Sequence, residues 1–276
     1  MFAPELGRWH WDGLASTVSL AGEAPILEPT MDRTSITKKL RSNLRRALGP
    51  KRLGMIDYYR YPERRQSWGG PFNGQTFRQQ IFVDLANAVE FDLIVETGTY
   101  RGTTTEYLRR TAKVPVYTVE HDQRAYGFST MRVGLKRGIK ISNEDSRSFL
   151  RGLTKKAVLK DKTVFFYLDA HWGKDLPLAE EIEIVFEGCD SAVVMIDDFQ
   201  VPDDDQYAYD NYGEGKALTL AYLERTTSKF GLVGFFPSSP AQYETGARRG
   251  CVVLVNNPEL LDRIGQIPSL RRWGRI

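Results

Sequence analysis

Six acidic side chains and one histidine stand where an α/β chain does its chemistry, at the ends of apolar runs. Glu96 follows the run beginning at Phe91 and opens the turn Glu96-Thr97-Gly98-Thr99-Tyr100-Arg101-Gly102, after which Thr103–Ala112 reads as a helix. In such a turn Gly98 can take a positive φ or admit a ligand close to the backbone, and Gly102 can let helix and strand pack tightly. The helix start offers free N–H groups to a carboxylate or phosphate. The turn lacks the third glycine of the Gly-x-Gly-x-x-Gly dinucleotide loop, and the charge of Glu96 suits an ammonium group better than a diphosphate. Glu120 closes a second run, 115–119, and lies 24 residues beyond Glu96. That is the usual interval for a carboxylate that accepts two ribose hydroxyls. Asp145 follows a third run, 138–142, where a carboxylate can accept from an adenine amino group.

The remaining acids form a second group. Asp169 and His171 follow the run Val164–Leu168, and Asp197-Asp198 follow Ala192–Ile196. Adjacent strands lie about 4.8 Å apart, so Asp169 and either Asp197 or Asp198 can converge at the carboxyl ends of neighbouring strands. Carboxylates so placed repel one another unless a cation sits among them, and Mg²⁺, an oxygen-seeking ion, fits best. The alternative is that Asp197 or Asp198 caps the next segment and Asp169 is an ordinary acid after a strand. His171 shares a side of the extended chain with Asp169, and an imidazole with an unperturbed pKa of about 6.5 can take a hydroxyl proton at neutral pH. The insert Val201–Gly213 carries Tyr207, Tyr209, Tyr212 and several acids that can line an acceptor pocket, with Arg248 and Arg249 bringing cations to the other rim.

In combination these motifs resemble the class I S-adenosylmethionine-dependent methyltransferases over residues 75–257. The resemblance implies that Glu96, Gly98, Thr99, Tyr100, Gly102 and Thr103 hold the cofactor's amino-acid part, with Glu120 and His121 at the ribose. Asp145 and Ser146 would then form the adenine-edge motif, Asp169 would also contact the cofactor, and Phe72, Asn73 and Gln75 would lie in a loop that caps the pocket. The interval of 28 residues from Asp169 to Asp197-Asp198 resembles the metal triad of the divalent-cation-dependent macrocin and mycinamicin sugar O-methyltransferases. By that resemblance Asp169, Asp197 and Asp198 hold the metal. The expected activity is O-methylation of a hydroxyl on a sugar or natural product, with Asp169 and His171 catalytic. A methyltransferase-like hydroxylase with a redox metal is disfavoured by the missing two-histidine, one-carboxylate set. A non-catalytic binding protein that retains the fold is the other reading.

These residues need a frame. Runs near 91–96, 115–120, 138–142, 163–169, 191–197, 231–236 and 250–255 read as strands, with helices between most of them. The alternation predicts a Rossmann-like α/β fold: a seven-stranded, mainly parallel sheet, helices on both faces, and an antiparallel hairpin at one edge. A helix over Thr76–Val89 would bury Phe77, Ile81, Leu85 and Ala88. Residues 1–65 read as an N-terminal arm with a basic amphipathic helix over 34–48, and 66–276 as the cofactor-binding domain.

With 276 residues the chain can bury a substantial core, and a formal charge of +3 gives no electrostatic case for nucleic acid. Cys189 and Cys251 have no Cys-x-x-Cys spacing and read as reduced thiols. No secretory pattern opens the sequence and no apolar run approaches the ~20 residues of a membrane span. The expectation is a cytoplasmic enzyme acting on a small molecule, with the proline-rich arm available for a homo-oligomer contact.

Overall fold

The computed structural model describes residues 33–171 and 175–275. The chain divides into two units, 1–43 and 44–276. Helix α1, Arg33–Arg60, covers the span expected for the basic helix and continues past it. Its course is interrupted at Gly49 (φ 70°, ψ 163°), immediately before Pro50, which cannot donate to the preceding turn. The side chains of its first part lie outside the described set.

Within the second unit, α2 (Thr76–Ala88) leads into alternating β1 (Leu93–Thr97), α3 (Thr103–Ala112), β2 (Val116–Val119), α4 (Gln123–Val133), β3 (Ile139–Ser142), α5 (Ser146–Lys155), β4 (Thr163–Leu168), α6 (Leu178–Gly188) and β5 (Ser191–Ile196). The chain ends with α7 (Leu220–Phe230), β6 (Val233–Pro237), β7 (Val252–Val255), α8 (Pro258–Ile264) and β8 (Leu270–Arg275). The sheet order is β3-β2-β1-β4-β5-β7-β6-β8. Strands β1 to β5 pair in parallel, and β7 runs antiparallel between β5 and β6. This is the Rossmann-like α/β fold expected from the alternation, extended by one strand.

That added strand corrects the expected hairpin edge. β8 pairs antiparallel with β6 through a register shift at Gly234/Phe235, so β6 and β7 lie inside the sheet. Its sequence, Leu270-Arg271-Arg272-Trp273-Gly274-Arg275, has too few apolar residues to announce a strand. Leu270, buried beside Ile267, is its inward anchor.

The central strands are buried on both faces, which explains their unbroken apolar runs. Val95, Phe166 and Val194 meet Leu150, Ile182 and Leu223 in one core. Ile94, Phe165 and Val193 meet Ile81, Phe82, Leu85 and Leu108 in the other. Because the chain moves to one side of β1 through β2 and β3 and returns to the other through β4, the strand order reverses between β1 and β4. A ligand crevice opens at such a point.

The later part of α1 crosses α4 through two glycines. A Cβ on Gly54 would lie 1.9 Å from the Arg124 carbonyl oxygen, and one on Gly127 would lie 2.0 Å from that of Lys51. Gly152, inside α5, has open space around the same position. Gly127→Ala should therefore destabilise the protein by about 1–3 kcal/mol, whereas Gly152→Ala should stabilise it by about 0.5–1 kcal/mol. Urea titrations of the two variants give opposite shifts if the helix crossing is as close as described.

Candidate functional site

The glycine turn is shaped by its neighbours. Gly98 has φ 88°, and a Cβ there would sit 2.2 Å from the Asp169 carbonyl oxygen. The close approach that demands glycine is therefore the backbone after β4. Gly98 and Thr99 both donate their N–H to the Val119 carbonyl, at 3.0 and 3.1 Å. Gly102, at φ 72°, starts α3, and its Cβ position is 3.2 Å from Val133 of α4. Tyr100 holds a left-handed φ of 48° without being glycine, and its N–H donates to Glu120 Oε2 at 2.6 Å.

Three carboxylates on this side have different surroundings. Glu96 is 1% exposed, and the hydroxyls of Thr105 and Thr118 donate to its Oε2, while Oε1 has no hydrogen-bond partner among the described residues. Burial pushes its pKa up to about 7. Glu120 is oriented by the N–H groups of Tyr100 and Asp122, the latter at 2.8 Å, and burial raises its pKa as well. Asp145 caps α5, accepting from the N–H groups of Arg147 and Ser148. The Arg147 guanidinium binds the same carboxylate at 2.8 Å and holds its pKa low. Asn143 joins the two loops, donating to the carbonyls of Glu120 and His121. His121 is exposed and Ser146 buried.

The second group is assembled by β4 and β5. Leu168 pairs with Ile196, so Asp169 and Asp197 leave adjacent strands at matching positions. One carboxylate oxygen from each of Asp169, Asp197 and Asp198 lies within 4.8 Å of the others. Asp197 is fully buried and pairs with the Arg78 guanidinium. It also accepts from Tyr167 OH at 2.6 Å and from the N–H of Asp198 at 2.9 Å. Asp198, at a left-handed φ of 53°, pairs with Arg249 at 2.6 Å. The other end of that guanidinium holds Asp210. At Asp169 burial, followed by the Asp198 and Glu96 charges, outweighs the opposing Arg78 charge and holds the pKa well above the ordinary range.

His171 does not keep its unperturbed pKa. It is 1% exposed, and burial pushes it down to about 4, so the imidazole is neutral at physiological pH. Nε2 lies 3.2 Å from the Asp197 carbonyl oxygen, which assigns the ring proton to Nε2 and the lone pair to Nδ1. Nδ1 has no partner among the described residues. Tyr212, in the insert, donates toward the His171 carbonyl and Asp210. Tyr207 instead points into the core and donates to Ser239 O at 2.9 Å.

Arg78 and Tyr167 are not among the site residues that the sequence offers, whereas Asp210 and Arg249 lie in the insert and the turn expected at the acceptor rim. The buried face of α2 is Arg78, Ile81, Phe82 and Leu85, rotated from the expected Phe77, Ile81, Leu85 and Ala88. Arginine sits on an apolar stripe because Asp197 awaits it, and no local pattern encodes a counterion from over a hundred positions away. Phe72 packs on Phe82, Tyr107 and Tyr167, and Gln75 grips the backbone of Arg249 with both ends of its amide. Asn73 accepts from the Ala247 N–H. These three hold the crevice wall together.

No protein-family model matches the chain, and no curated protein matches it. Solved structures with a similar fold exist. A putative O-methyltransferase from Klebsiella pneumoniae is 15% identical, covering 79% of this chain and 96% of its own, at a TM-score of 0.49. The O-methyltransferase from Bacillus cereus, in complex with SAH, is 15% identical over 65% of this chain and 81% of its own, at 0.47. An SAH-bound methyltransferase from Podospora anserina is 9% identical over 84% and 100%, at 0.45. Similarities this distant transfer no residue role, and the fold is defined by the strand order itself.

Removing one member of the buried Arg78–Asp197 pair leaves an uncompensated charge. Arg78→Met should destabilise the protein by about 3–5 kcal/mol, and adding Asp197→Leu should restore part of that loss. A double-mutant cycle in denaturant measures both; additive losses would mean the two groups do not interact.

Proposed function

We propose that this protein is an S-adenosylmethionine-dependent O-methyltransferase that acts on a hydroxyl of a small molecule, a sugar or natural product, with Mg²⁺ at its strand-end aspartates. One observation carries the reading. The oriented carboxylates Glu96 and Glu120 and the cluster around Asp169 share the same end of the sheet, at the point where the strand order reverses.

The residues suit the groups this chemistry requires. The free oxygen of buried Glu96 is an acceptor for the cofactor ammonium, and Glu120, clamped by two N–H groups, keeps lone pairs for the ribose hydroxyls. The turn residues Gly98 to Thr103 supply the adjoining backbone, with His121, Asp145 and Ser146 at the adenosine side. Carboxylate oxygens of Asp169, Asp197 and Asp198 all lie within 4.8 Å of one another, a span comparable to the ~4.2 Å across an octahedral Mg²⁺. Asp169 would be the principal ligand, because Arg78 already neutralises Asp197 and Arg249 is shared between Asp198 and Asp210. When bound, the cofactor supplies an electrophilic methyl group and the cation supplies Lewis-acid polarisation of the acceptor oxygen.

The chain's own residues do the rest. Alignment of the acceptor by the insert and the acidic cluster is the main catalytic effect, since displacement at a methyl carbon requires an in-line approach. His171 Nδ1 accepts the hydroxyl proton. Burial leaves that lone pair free at every pH above about 4; burial and Arg249 oppose the imidazolium, and the charges of Asp198 and Asp210 favour it. The Asp210–Tyr212 contacts place the insert over His171.

Calorimetric titration with S-adenosylhomocysteine, with Mg²⁺ and again with chelator, tests the cofactor first. Micromolar binding that survives chelation is expected, and its absence in both conditions would remove the methyltransferase reading. Asp169→Asn should abolish methyl transfer to an accepted hydroxyl while changing cofactor affinity less than about threefold. Below its pKa of about 7, Glu96 must release a proton to receive an ammonium group. Affinity should therefore fall by up to about tenfold for each pH unit below that value, and Glu96→Gln should flatten this acid limb.

A further inference from the structure

The hydroxyl groups around Glu96 form a directed chain. Glu96 and Thr118 are register partners on β1 and β2, so their side chains stand together on one face of the sheet. Thr118 Oγ1 donates to Glu96 Oε2 at 2.6 Å, and Thr105, in the first turn of α3, donates to the same oxygen. Thr99 Oγ1 lies 2.5 Å from Thr118 Oγ1. A hydroxyl has one proton, and that of Thr118 is committed to Glu96, so Thr99 is the donor in its contact with Thr118. All three protons therefore run inward toward one carboxylate oxygen. Thr105 and Thr118 are inaccessible to water, and Thr99 is nearly so.

Two features set this chain apart from the ordinary pairing of a buried acid. The first is asymmetry. Both donors converge on Oε2, while Oε1, also buried, has no partner among the described residues. Buried polar atoms are normally paired, so a bare oxygen beside two donors crowded on its twin points to a partner from outside the chain. The second is composition. Threonine is a poor helix former, yet α3 opens with Thr103, Thr104 and Thr105. Each hydroxyl has a use: Thr103 accepts from Arg132 at 3.1 Å, Thr104 accepts from the Phe72 N–H at 3.1 Å, and Thr105 donates to Glu96.

We propose that Thr99, Thr105 and Thr118 are positioning residues that present Glu96 Oε1 to the cofactor ammonium. By turning their protons inward, they leave this set of side chains with acceptors alone toward the ligand, which makes it selective for a cationic amine. The inference rests on the cofactor reading above. Burial raises the Glu96 pKa to about 7 against the pull of the Thr105 and Thr118 hydroxyls, and Glu120 adds a like charge. Asp169 is a further acid close enough to feel the Glu96 charge. The ionised form thus leans on its two donors and gains from a cation that enters. An incoming ammonium group meets a carboxylate whose direction is already set, and the cost of ordering it does not fall on binding.

The test compares S-adenosylhomocysteine with 5′-methylthioadenosine, which has the nucleoside and thioether but no amino-acid end, at a pH above the Glu96 value of about 7. Thr118→Val keeps the side-chain shape and removes the donor. It should weaken S-adenosylhomocysteine binding by about tenfold, the scale of one hydrogen bond to a charged group, and change 5′-methylthioadenosine binding by less than about twofold. Thr118→Ser, which keeps the hydroxyl, should hold S-adenosylhomocysteine within about threefold of the wild type. In a Glu96→Gln background Thr118→Val should weaken the ligand no further, because the anion that it positions is gone. Thr105→Val carries the same comparison through the second donor if Thr118→Val does not fold. Equal losses for both ligands, or full additivity with Glu96→Gln, would overturn the proposal. A wild type that binds neither ligand removes the cofactor reading and this inference with it. A wild type that binds both, with variants that match it, removes this inference alone.

Discussion

The crevice is organised around one buried charge pair. Arg78 on α2 and Asp197 after β5 are both essentially inaccessible to water. An ion of either sign in such a place needs its partner and further hydrogen bonds to be tolerated. Those bonds come from three directions. Tyr167 reaches Asp197 from β4, the N–H of Asp198 turns back onto it, and the Arg249 carbonyl accepts from the Arg78 guanidinium. Beside the pair, Glu244 accepts the backbone N–H groups of Phe77 and Arg78. Glu244 thereby caps α2 with a side chain from the loop between β6 and β7, where α2 has no side-chain cap of its own. The pair locks the helix before the sheet, two central strands and a late loop into one arrangement.

That lock permits the acidic crevice. Glu96, Asp169, Asp197, Asp198 and Asp210 crowd a volume served by Arg78 and Arg249 alone among the cations that the contacts name. Burial raises the pKa values of Glu96 and Asp169, and the Asp198, Glu96 and Asp210 charges add to the shift at Asp169. Crowding of this kind opposes folding and is retained where a ligand needs it. A cationic ligand group relieves it by neutralising the carboxylates that have no guanidinium.

The parts that were legible in the sequence are those fixed by local rules. Alternating runs gave five parallel strands, because strands buried on both faces are apolar without interruption. Gly98 and Gly102 showed themselves as glycines because left-handed backbone strongly prefers that residue. Thr103–Ala112 was placed to the residue, since Gly102 starts it and Lys113 ends it in left-handed conformations. Arg78 and the strand Leu270–Arg275 were not legible, and neither was the pairing of Asp210 with Arg249. Each is defined by a partner far along the chain, and none leaves a periodic trace. The roles expected at His171 and Asp145 depended on ordinary side-chain behaviour, which burial altered in the first and Arg147 in the second.

The same division separates the two halves of the crevice. On the side of β1, β2 and β3, each carboxylate is oriented by groups within a few tens of residues, Thr105 and Thr118 for Glu96, Tyr100 and Asp122 for Glu120, Arg147 for Asp145. That half follows once strand, turn and helix have formed in sequence. On the side of β4 and β5, Asp198 and Asp210 depend on Arg249, which Gln75 holds from before α2. Closing that ring draws on contacts from before α2 to after β6. A half built by local rules can keep one geometry while the long-range half changes its loops, and in the proposed enzyme this would let one cofactor site serve varied acceptors.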